Sequence, residues 1–410
     1  MQSSESVILS LPSKSTKGAI LLPSSKSESN RSLIINALSG NKAQLSNISE
    51  ARDTQTMLRL LASDEKELNV LDAGTTMRFL VAYCSVKGLN KILTGTERMQ
   101  ERPIKILVDA LRELGAEIKY QKNEGYPPLQ ISGFSYSGKK NIRIRGDVSS
   151  QYISALLMVG PILPEGLELT LEGKIGSVPY IEMTLSLMTL FGASYTWKGS
   201  TITVAPKPYT AEKYWIESDW SGASYWFSIA ALSEKSDLEL IGLKKDSLQG
   251  DSTIVKIMSS LGVETSFNEG GVRLKKIPSK NELEFDFSNC PDLAQTVFVI
   301  CAAKKIKLTA RGLESLRIKE TDRILALQNE LIKIGSKINE DNSLWVLEND
   351  NRPVESYSDL RFETYDDHRM AMAFAPLASI APVEIINPSV VNKSYPGYWN
   401  DLKAAGFIIK

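Results

Sequence analysis

Cysteine and histidine are scarce in this 410-residue sequence. Cys84, Cys290 and Cys301 are the cysteines, and His368 is the single histidine. A small, odd number of cysteines without metal-ligand spacing argues against a disulfide framework and a zinc site, and favours a reducing compartment. No apolar run is long enough to span a membrane, and residues 1–5 lack the basic start and apolar core of a signal peptide. We therefore expect a cytoplasmic protein that does not bind membranes.

The sequence also lacks an excess of charge of either sign. Lysine plus arginine and aspartate plus glutamate each number 48, which gives a formal net charge of zero. A broad surface for nucleic acid or acidic lipid is therefore not expected, although basic groups can still be concentrated in one cleft. Glycine-rich dinucleotide turns and the phosphate-binding loop of NTPases are missing too, which disfavours nucleotide-binding folds. Hydrophobic residues make up 42% of the chain, enough for two or three domains with cores of their own.

What the sequence does contain is one pattern repeated six times. Each copy is an apolar run of helical length, followed by a few linker residues and a short β-type run. The pairs are Ser32–Leu38 with Ala43–Leu45, Met77–Val86 with Lys91–Leu93, Tyr152–Val159 with Leu167–Leu171, Ala223–Leu232 with Leu238–Ile241, Leu293–Ala303 with Lys305–Leu308, and Met370–Ala378 with Val383–Ile386. The copies recur about every seventy residues, with one shorter spacing after the first, which indicates internal duplication.

A second set of helical patterns defines the complete repeat. Amphipathic segments end at Gly115, Gly192, Gly262, Gly335 and Gly406 and then pass into strand patterns. Glycine after the last turn is typical of a left-handed helix cap. The first copy lacks such a glycine. Each complete unit therefore has the order β-α-β-α-β-β, which predicts an α/β fold.

The repeat predicts two similar domains of three units each. A strand pattern at Ser6–Leu11 precedes the first unit, and a second crossing between domains is expected near Tyr214–Asp219. We place one domain at residues 23–216 and the other at residues 1–22 plus 217–410, with both crossovers at one hinge. Helix starts of the two domains would then face a common cleft.

Polar and charged residues gather at the six helix starts. The markers of these starts are Asn30, Thr76, Ser150, Ser221, Asp292 and His368. Taken singly, each is explained as an ordinary N-cap. Caps do not explain the cations Lys26, Arg31, Arg78 and Arg369 beside four of the starts, because a cation in a first turn opposes the helix dipole. Free backbone N–H groups and cations together indicate anion binding. The fourth start, Glu217–Ser221, is interpreted as chiefly structural.

Eight stretches, in order and on this period, resemble the 5-enolpyruvylshikimate-3-phosphate (EPSP) synthase family over essentially the whole chain. They are Leu22–Arg31, Asp72–Arg78, Glu101–Ile104, Ser149–Gln151, Pro179–Ile181, Gln249–Asp251, Arg317–Arg323 and Asp367–Met372. The resemblance implies two hinged domains of three βαβαββ units, arranged as an inside-out α/β barrel around an active-site cleft.

The resemblance also implies an activity. The family transfers the enolpyruvyl group of phosphoenolpyruvate to the 5-hydroxyl of shikimate 3-phosphate, releases phosphate by addition and elimination, and uses no metal or organic cofactor. The reaction lies on the route to chorismate and aromatic amino acids, and glyphosate inhibits it. We expect a monomer whose partners are these two small molecules.

Site residues are carried over on matching positions. Phosphoenolpyruvate is expected to contact Lys26, Gly74, Arg102, Gln151, Arg323, Arg369 and Lys393. Shikimate 3-phosphate is expected to contact Lys26, Ser27, Arg31, Ser149, Ser150, Gln151, Ser177, Tyr180, Asp292, Ser315 and Lys319. The cations among them would offset the repulsion between two anionic substrates.

Proton transfer requires a base for the 5-hydroxyl and an acid for the methylene carbon of phosphoenolpyruvate. Asp292 is the predicted base and Glu320 the predicted acid, and Lys26 is a third candidate for proton transfer. His368 is expected to line the site and to orient Glu320 or a substrate oxygen.

Three positions depart from the family pattern. Ser24 replaces a usual glycine, Asp72 a usual asparagine, and Ser315 an asparagine that often contacts shikimate 3-phosphate. We expect no direct substrate contact from Asp72.

Two other functions compete with this one. A sister enolpyruvyl transferase acts on UDP-N-acetylglucosamine and uses a loop cysteine, but Leu93–Arg102 contains no cysteine and Cys84 lies in an apolar helix pattern. A non-catalytic phosphometabolite-binding protein is the other alternative, against which Asp292, Glu320 and Lys393 argue.

Overall fold

The computed structural model describes residues 5–210 and 212–410, and its chain divides into two compact units. The continuous unit is Lys26–Ile216. The split unit consists of the described residues of Met1–Ser25 together with Glu217–Lys410. Residues 1–4, on which the interpretation of the N-terminus and part of the predicted domain range rest, lie outside the described residues.

Helices lie at each of the six apolar runs, although the last run is α-helical only to Phe374 and continues as a 3-10 turn, and the short helix Glu97–Gln100 was not predicted. They are α1 Lys26–Leu38, α2 Arg52–Leu61, α3 Gly74–Val86, α4 Glu97–Gln100, α5 Lys105–Leu114, α6 Ser150–Val159, α7 Val178–Leu190, α8 Trp220–Leu232, α9 Ile254–Leu261, α10 Ala294–Ala303, α11 Arg323–Leu331, α12 His368–Phe374 and α13 Tyr398–Ala404. A 3-10 turn, Pro291–Leu293, leads into α10. The first helix begins at Lys26, so that the polar segment Ser27–Arg31 lies inside its first turns rather than before them.

Short strands alternate with these helices. They are β1 Ser6–Ser10, β2 Ser15–Leu21, β3 Gln44–Ser46, β4 Glu67–Asn69, β5 Lys91–Thr94, β6 Ala116–Tyr120, β7 Leu129–Phe134, β8 Asn141–Arg145, β9 Leu167–Glu172, β10 Tyr195–Lys198, β11 Thr201–Val204, β12 Lys213–Trp215, β13 Lys235–Ile241, β14 Val263–Phe267, β15 Gly271–Lys276, β16 Glu282–Asp286, β17 Lys307–Arg311, β18 Ser336–Asp341, β19 Leu344–Asn349, β20 Arg361–Phe362, β21 Val383–Ile386 and β22 Ile408–Ile409.

Five sheets share one topology. In β4-β5-β7-β6 the first pair is parallel and the other two pairs are antiparallel. The sheets β10-β11-β9-β8, β16-β17-β19-β18, β14-β15-β13-β2 and β20-β21-β1-β22 repeat this order of parallel and antiparallel pairs. In four of these sheets one helix joins the two parallel strands, as expected of a βαβ crossover, whereas between β2 and β13 the chain passes through the whole continuous unit. The predicted α/β fold is confirmed, and every sheet among the described residues stays open rather than closing into a barrel.

Three strands join sheets that are distant in sequence. β1 pairs with β21 and β22, and β2 pairs with β13, so both complete repeats of the split unit rather than the repeat they precede. β12 pairs in parallel with β3 and supplies the first strand of the first repeat. The first repeat has only this two-stranded sheet, which explains its short spacing in the sequence.

The two helices of each repeat are buried to different extents. Every residue of α8 except Ser221 is buried, and so is every residue of α10 except the last, Ala303. In α5 the buried residues form one face, and Gly115 then ends the helix at φ 110°. A side chain at that φ would be strained, so glycine is required there. The first helices of the repeats therefore form much of the core of each unit.

Inside the split unit, the two places where the chain leaves and returns lie side by side. The amide of Ser25 donates to the carbonyl of Glu217 at 2.8 Å, and Ser24 forms a β-bridge with Ser218. Ser24 does not have a positive φ, so serine fits where the family usually has glycine. The buried carboxylate of Glu217 accepts hydrogen bonds from Trp220 Nε1 and the Lys244 amide, at 2.8 and 2.7 Å.

Candidate active site

In the continuous unit, Lys26 is the first residue of α1 and reaches a carboxylate. Its Nζ lies 3.2 Å from Oδ2 of Asp53, which is buried near the start of α2. Asp53 balances part of the positive charge at this helix start. Asp53 was not predicted as a site residue, because nothing local marks it as the partner of a lysine 27 residues earlier.

Arg31 is buried and has neutral hydrogen-bond partners. Its Nε donates to Oγ1 of Thr184 at 2.7 Å, Nη2 to Oγ of Ser154 at 3.2 Å, and Nη1 to the Ser27 carbonyl at 3.0 Å. Burial lowers the pKa of Arg31 to about 10. No carboxylate in the described chain forms an ion pair with it. A buried arginine held by hydroxyl groups is well suited to bind an anionic ligand.

A second arginine lies against the N-terminus of α3. A Cβ atom placed on Gly74 would be 2.6 Å from Nη1 of Arg102, so this guanidinium rests on the glycine at the helix start. Among the described residues, the Arg102 guanidinium has no ion-pair or hydrogen-bond partner. Asp72, two residues before Gly74, instead pairs with Arg52 at 2.9 Å. The helix dipole and the guanidinium therefore present positive potential at the same place.

The segment that carries Arg102 is held by two buried side chains. Nη2 of Arg78 donates to the Pro103 carbonyl at 2.8 Å, and the hydroxyl of Tyr152 donates a short hydrogen bond to the same carbonyl. Arg78 Nη1 also donates to the Gly74 carbonyl at 3.3 Å, and its guanidinium lies over the Tyr152 ring. The starts of α3 and α6 thus fix the position of the loop between them.

The remaining predicted residues of this unit lie at the starts of α6 and α7. Ser149 caps α6 through the amide of Gln151, whose side chain donates to Oγ1 of Thr75 at 3.1 Å. Ser177 has a left-handed φ of 53° immediately before α7. Tyr180 lies in the first turn of α7, and its ring is 5.9 Å from the Arg31 guanidinium. Ser150 is buried, and Ser27 lies in the first turn of α1.

In the split unit, Arg323 is the centre of a buried ion-pair cluster. Its Nε lies 2.7 Å from Oδ2 of Asp367, Nη1 lies 3.0 Å from Oδ1 of Asp292, and Nη2 lies 2.9 Å from Oε2 of Glu320. Burial alone would lower the pKa of Arg323, but these three carboxylates raise it. The structure therefore brings the two predicted proton-transfer carboxyls to one guanidinium.

Asp292 is surrounded by cations. Arg369 Nη2 lies 2.9 Å from Oδ2, and Lys319 Nζ lies 4.0 Å from Oδ1. Burial would raise the pKa of this carboxyl, but Arg369, Lys319 and Arg323 hold it well below its usual range. Asp292 is therefore ionised at neutral pH, as a general base must be.

Glu320 bridges two cations, since its Oε1 lies 3.3 Å from Nζ of the buried Lys393. His368 is buried at the start of α12, with Nδ1 3.7 Å from Oδ1 of Asp367. Ser315 is exposed on the 3-10 turn Glu314–Ile318. The cluster thus unites Asp292, Lys319, Glu320, Arg323, Arg369 and Lys393.

The fourth helix start, which the sequence analysis interprets as chiefly structural, is hydrogen-bonded to this cluster. Ser221 Oγ accepts a hydrogen bond from Arg369 Nη2 at 3.3 Å and donates to Asp251. Tyr225, one turn along α8, accepts from Arg369 Nη1 at 3.4 Å. Asp251 belongs to Gln249–Asp251, one of the eight stretches that carry the resemblance, but no role was predicted for this residue.

The cysteine of α3 and the residue types that can bind a metal are also among the described residues. Cys84 is buried in α3, as predicted, and burial raises the pKa of its thiol to about 12. The described residues include no group of three histidine, cysteine or acidic side chains placed to bind a metal. None of the helices that the structure describes is long and apolar enough to cross a membrane.

Comparisons with known proteins agree with this geometry. A family model described as EPSP synthase (3-phosphoshikimate 1-carboxyvinyltransferase) matches residues 59–402. A 3-phosphoshikimate 1-carboxyvinyltransferase of Bacteroides fragilis strain YCH46 is 52% identical over 406 residues, which cover 98% of each chain. One of the same name from Mannheimia haemolytica is 35% identical over 430 residues, covering 96% of this chain and 97% of its own.

A solved structure shows a similar fold at lower sequence similarity. The EPSP synthase of Acinetobacter baumannii superposes with a TM-score of 0.78 at 21% identity and covers 99% of this chain and 100% of its own. At that identity the match supports the fold alone. The family model and the relatives carry the assignment: this chain belongs to the EPSP synthase (3-phosphoshikimate 1-carboxyvinyltransferase) family.

Proposed function

We propose that the chain transfers the enolpyruvyl group of phosphoenolpyruvate to the 5-hydroxyl of shikimate 3-phosphate. Membership of the family supports the reaction, and the Asp292–Arg323–Glu320 cluster carries the proposal for this chain. Two carboxyls held on one buried guanidinium, with Arg369 and Lys393 on their other sides, form an arrangement for acid–base chemistry on an anionic substrate.

The continuous unit offers the groups proposed for shikimate 3-phosphate. Arg31 supplies a buried cation without a carboxylate partner among the described residues, and Ser149 and Ser150 begin a helix whose free N–H groups suit phosphate. Tyr180 packs beside Arg31 and provides an apolar face for the cyclohexene ring of shikimate 3-phosphate. The full proposed set is Lys26, Ser27, Arg31, Ser149, Ser150, Gln151, Ser177, Tyr180, Asp292, Ser315 and Lys319.

The groups proposed for phosphoenolpyruvate are mostly arginine and lysine. They are Lys26, Gly74, Arg102, Gln151, Arg323, Arg369 and Lys393. Planar guanidinium groups bind carboxylate and phosphate through two parallel hydrogen bonds, which fixes the orientation of the ligand as well as its charge. Gly74 leaves the start of α3 open, because it has no side chain between the backbone and Arg102.

The chemistry proceeds by addition and then elimination. Asp292 accepts the proton of the 5-hydroxyl as its oxygen attacks C2 of phosphoenolpyruvate, and Glu320 donates a proton to the methylene carbon. Loss of a proton from the resulting methyl group and cleavage of the C–O bond to phosphate then restore the double bond. Lys26 is proposed to assist proton transfer or to stabilise the departing phosphate.

The cations around Asp292 link substrate binding to basicity. In the free protein, Arg369, Lys319 and Arg323 stabilise the carboxylate and make it a weak base. Phosphoenolpyruvate brings a phosphate and a carboxylate, and both compete for these cations. When Arg369 shares its charge with the substrate, the pKa of Asp292 rises towards the working pH, where a general base is most effective.

An assay of phosphate release separates this function from its alternatives. The protein is incubated with phosphoenolpyruvate and either shikimate 3-phosphate or UDP-N-acetylglucosamine. We expect release only with shikimate 3-phosphate. Release only with UDP-N-acetylglucosamine would support the sister transferase, which the burial of Cys84 disfavours. No release with either acceptor would support a binding protein. A monomeric state and a cytoplasmic location belong to the same proposal.

A further inference from the structure

At the fourth helix start, a series of hydrogen bonds links residues to which the proposed reaction gives no role. Ser221 lies in the first turn of α8, and its hydroxyl donates a short hydrogen bond to Oδ2 of Asp251. The same hydroxyl oxygen accepts from Nη2 of Arg369 at 3.3 Å. That nitrogen also lies 2.9 Å from Oδ2 of Asp292. One nitrogen of the guanidinium is therefore held between a serine and the proposed base.

The direction of these hydrogen bonds matters. A serine hydroxyl has one hydrogen, and here it points to Asp251, so that the lone pairs of Ser221 remain for Arg369. Without Asp251 the hydroxyl is free to rotate, and the direction of its lone pairs is no longer fixed. Asp251 therefore holds the lone pairs of Ser221 in the direction of Arg369.

The second guanidinium nitrogen is fixed as well. Nη1 of Arg369 donates to the Asp292 carbonyl at 3.1 Å and to the Tyr225 hydroxyl at 3.4 Å. Holding a long side chain in one rotamer before the ligand arrives removes part of the entropic cost of binding. The arrangement is therefore suited to preorganise an anion-binding arginine.

Asp251 itself is hard to explain as a structural residue. It is 5% exposed, and its Oδ1 has no hydrogen-bond partner within the described chain. Asp292, Asp219 and Arg369 are the charged groups that act on it. A buried carboxyl with one unsatisfied oxygen destabilises a fold, which favours a role in the site over a purely structural one.

We propose that Asp251, acting through Ser221, positions Arg369 to bind phosphoenolpyruvate. The inference rests on the proposed function, because it takes Arg369 as a ligand of that substrate. Asp251 and Ser221 are positioning residues and touch no reacting atom. A purely structural role for the Ser221–Asp251 hydrogen bond, joining α8 to the turn at Gly250, is the competing explanation.

Steady-state kinetics of two variants and a matched control test the proposal. Ser221→Ala removes the acceptor, and Asp251→Ala frees the hydroxyl to rotate. Ser228→Ala is the control, since Ser228 is buried in the same helix and its hydroxyl has no partner in the described residues. We expect the KM for phosphoenolpyruvate to rise about ten-fold in both variants, with kcat and the KM for shikimate 3-phosphate changed less than two-fold. The control should match the wild type.

The conservative variant Asp251→Asn sharpens the test. Its amide oxygen still accepts from Ser221, so a positioning role predicts that most of the affinity for phosphoenolpyruvate returns. The proposal is overturned if Ser221→Ala behaves like Ser228→Ala, or if both KM values rise together. Thermal-shift titrations with phosphoenolpyruvate, with and without shikimate 3-phosphate, repeat the comparison without turnover. They test the positioning even if the wild type releases no phosphate, the result that would refute the proposed function.

Discussion

At the scale of single residues, the site is defined by how each charge is balanced. Arg323 is neutralised by Asp292, Glu320 and Asp367, whereas Arg31 and Arg102 have no carboxylate partner among the described residues. An ion pair already formed must be broken or shared before its cation binds a substrate. We infer that the two unpaired arginines provide most of the attraction for anions, and that the paired cluster provides the chemistry.

Gly74→Ala tests the close approach at the start of α3. The added methyl would lie 2.6 Å from Nη1 of Arg102, so the guanidinium has to move. We expect inhibition by glyphosate to weaken at least ten-fold, and the KM for phosphoenolpyruvate to rise by less. Steady-state inhibition assays measure both. Gly397→Ala is the control, because Gly397 has an ordinary φ of −80° and its Cβ would meet nothing closer than 3.6 Å. Equal inhibition of wild type and Gly74→Ala would contradict the account.

Asp251 predicts a pH dependence of stability. Burial and then the charge of Asp292 raise the pKa of Asp251 to about 7 in the folded protein, from 3.8. A raised carboxyl pKa stabilises the fold at low pH, and this stabilisation is lost as the pH rises to about 7. Between pH 5 and 8 the wild type should therefore lose roughly 2–3 kcal/mol more stability than Asp251→Asn. Urea unfolding at the two pH values measures this difference, and parallel losses would argue against it.

At the scale of elements, the starts of α3 and α6 act together on one loop. Arg78 from α3 and Tyr152 from α6 both donate to the carbonyl of Pro103, the residue after Arg102. Two rigid helices thus position a loop arginine, and the loop needs no secondary structure of its own. A loop held by rigid helices suits a binding group that must be placed accurately.

Tyr152→Phe removes one of the two donors while keeping the ring beneath Arg78. We expect the KM for phosphoenolpyruvate to rise roughly five-fold, the effect of one lost hydrogen bond, with kcat less affected. Kinetics with each substrate varied in turn provide the measurement. Tyr83→Phe is the control, a similar change in α3 at a residue with no role in the site, and it should leave kcat and the KM for phosphoenolpyruvate unchanged. An unchanged KM in Tyr152→Phe would show that Arg78 alone holds the loop.

Local sequence predicted the helices and their ends better than the pairing of strands. Apolar runs located the first helices, and Gly115 and Gly262 ended helices in the predicted left-handed conformation. The pairings of β1, β2 and β12 were not predicted, because residues about 170–400 positions apart meet only after the chain has folded. Local sequence patterns do not determine such long-range pairing.

Local sequence also predicted only part of the candidate site. Glu320 and Arg323 were identified from a family motif and Asp292 from the fifth helix start and the resemblance, and the structure brings them into contact. Asp53, Ser221 and Asp251 were not, since their importance comes from partners distant in sequence. The quoted stretch Gln249–Asp251 was the available signal for Asp251, and only the hydrogen bond to Ser221 shows what it does.

At the scale of the whole molecule, each unit contains its own repeats and its own core. The continuous unit is closed by β12, which pairs with β3 and carries Tyr214, whose hydroxyl donates to the buried Glu28 at 2.6 Å. The chain therefore returns to the beginning of this unit before it leaves. A unit closed in this way should be able to fold when excised.

Expression of residues 26–216 alone tests this independence. We expect a cooperative thermal transition with the circular-dichroism signal of an α/β protein. A shorter segment, residues 26–208, lacks β12 and the Tyr214–Glu28 hydrogen bond, and should melt roughly 5–10 °C lower. An unfolded longer segment would show that the repeats of this unit require the split unit, and equal melting temperatures would show that β12 contributes little.

The central claim is that the chain transfers an enolpyruvyl group and that Asp292 and Glu320 carry the protons. The most direct measurement is mass spectrometry of the products of wild type, Asp292→Asn and Glu320→Gln, alongside phosphate release. We predict one 5-enolpyruvylshikimate 3-phosphate per phosphate for the wild type. For each variant we predict a fall in kcat of at least a hundred-fold, the scale of lost acid–base catalysis, with smaller changes in KM. Phosphate released without the enolpyruvyl product, or variants that turn over like the wild type, would contradict the account.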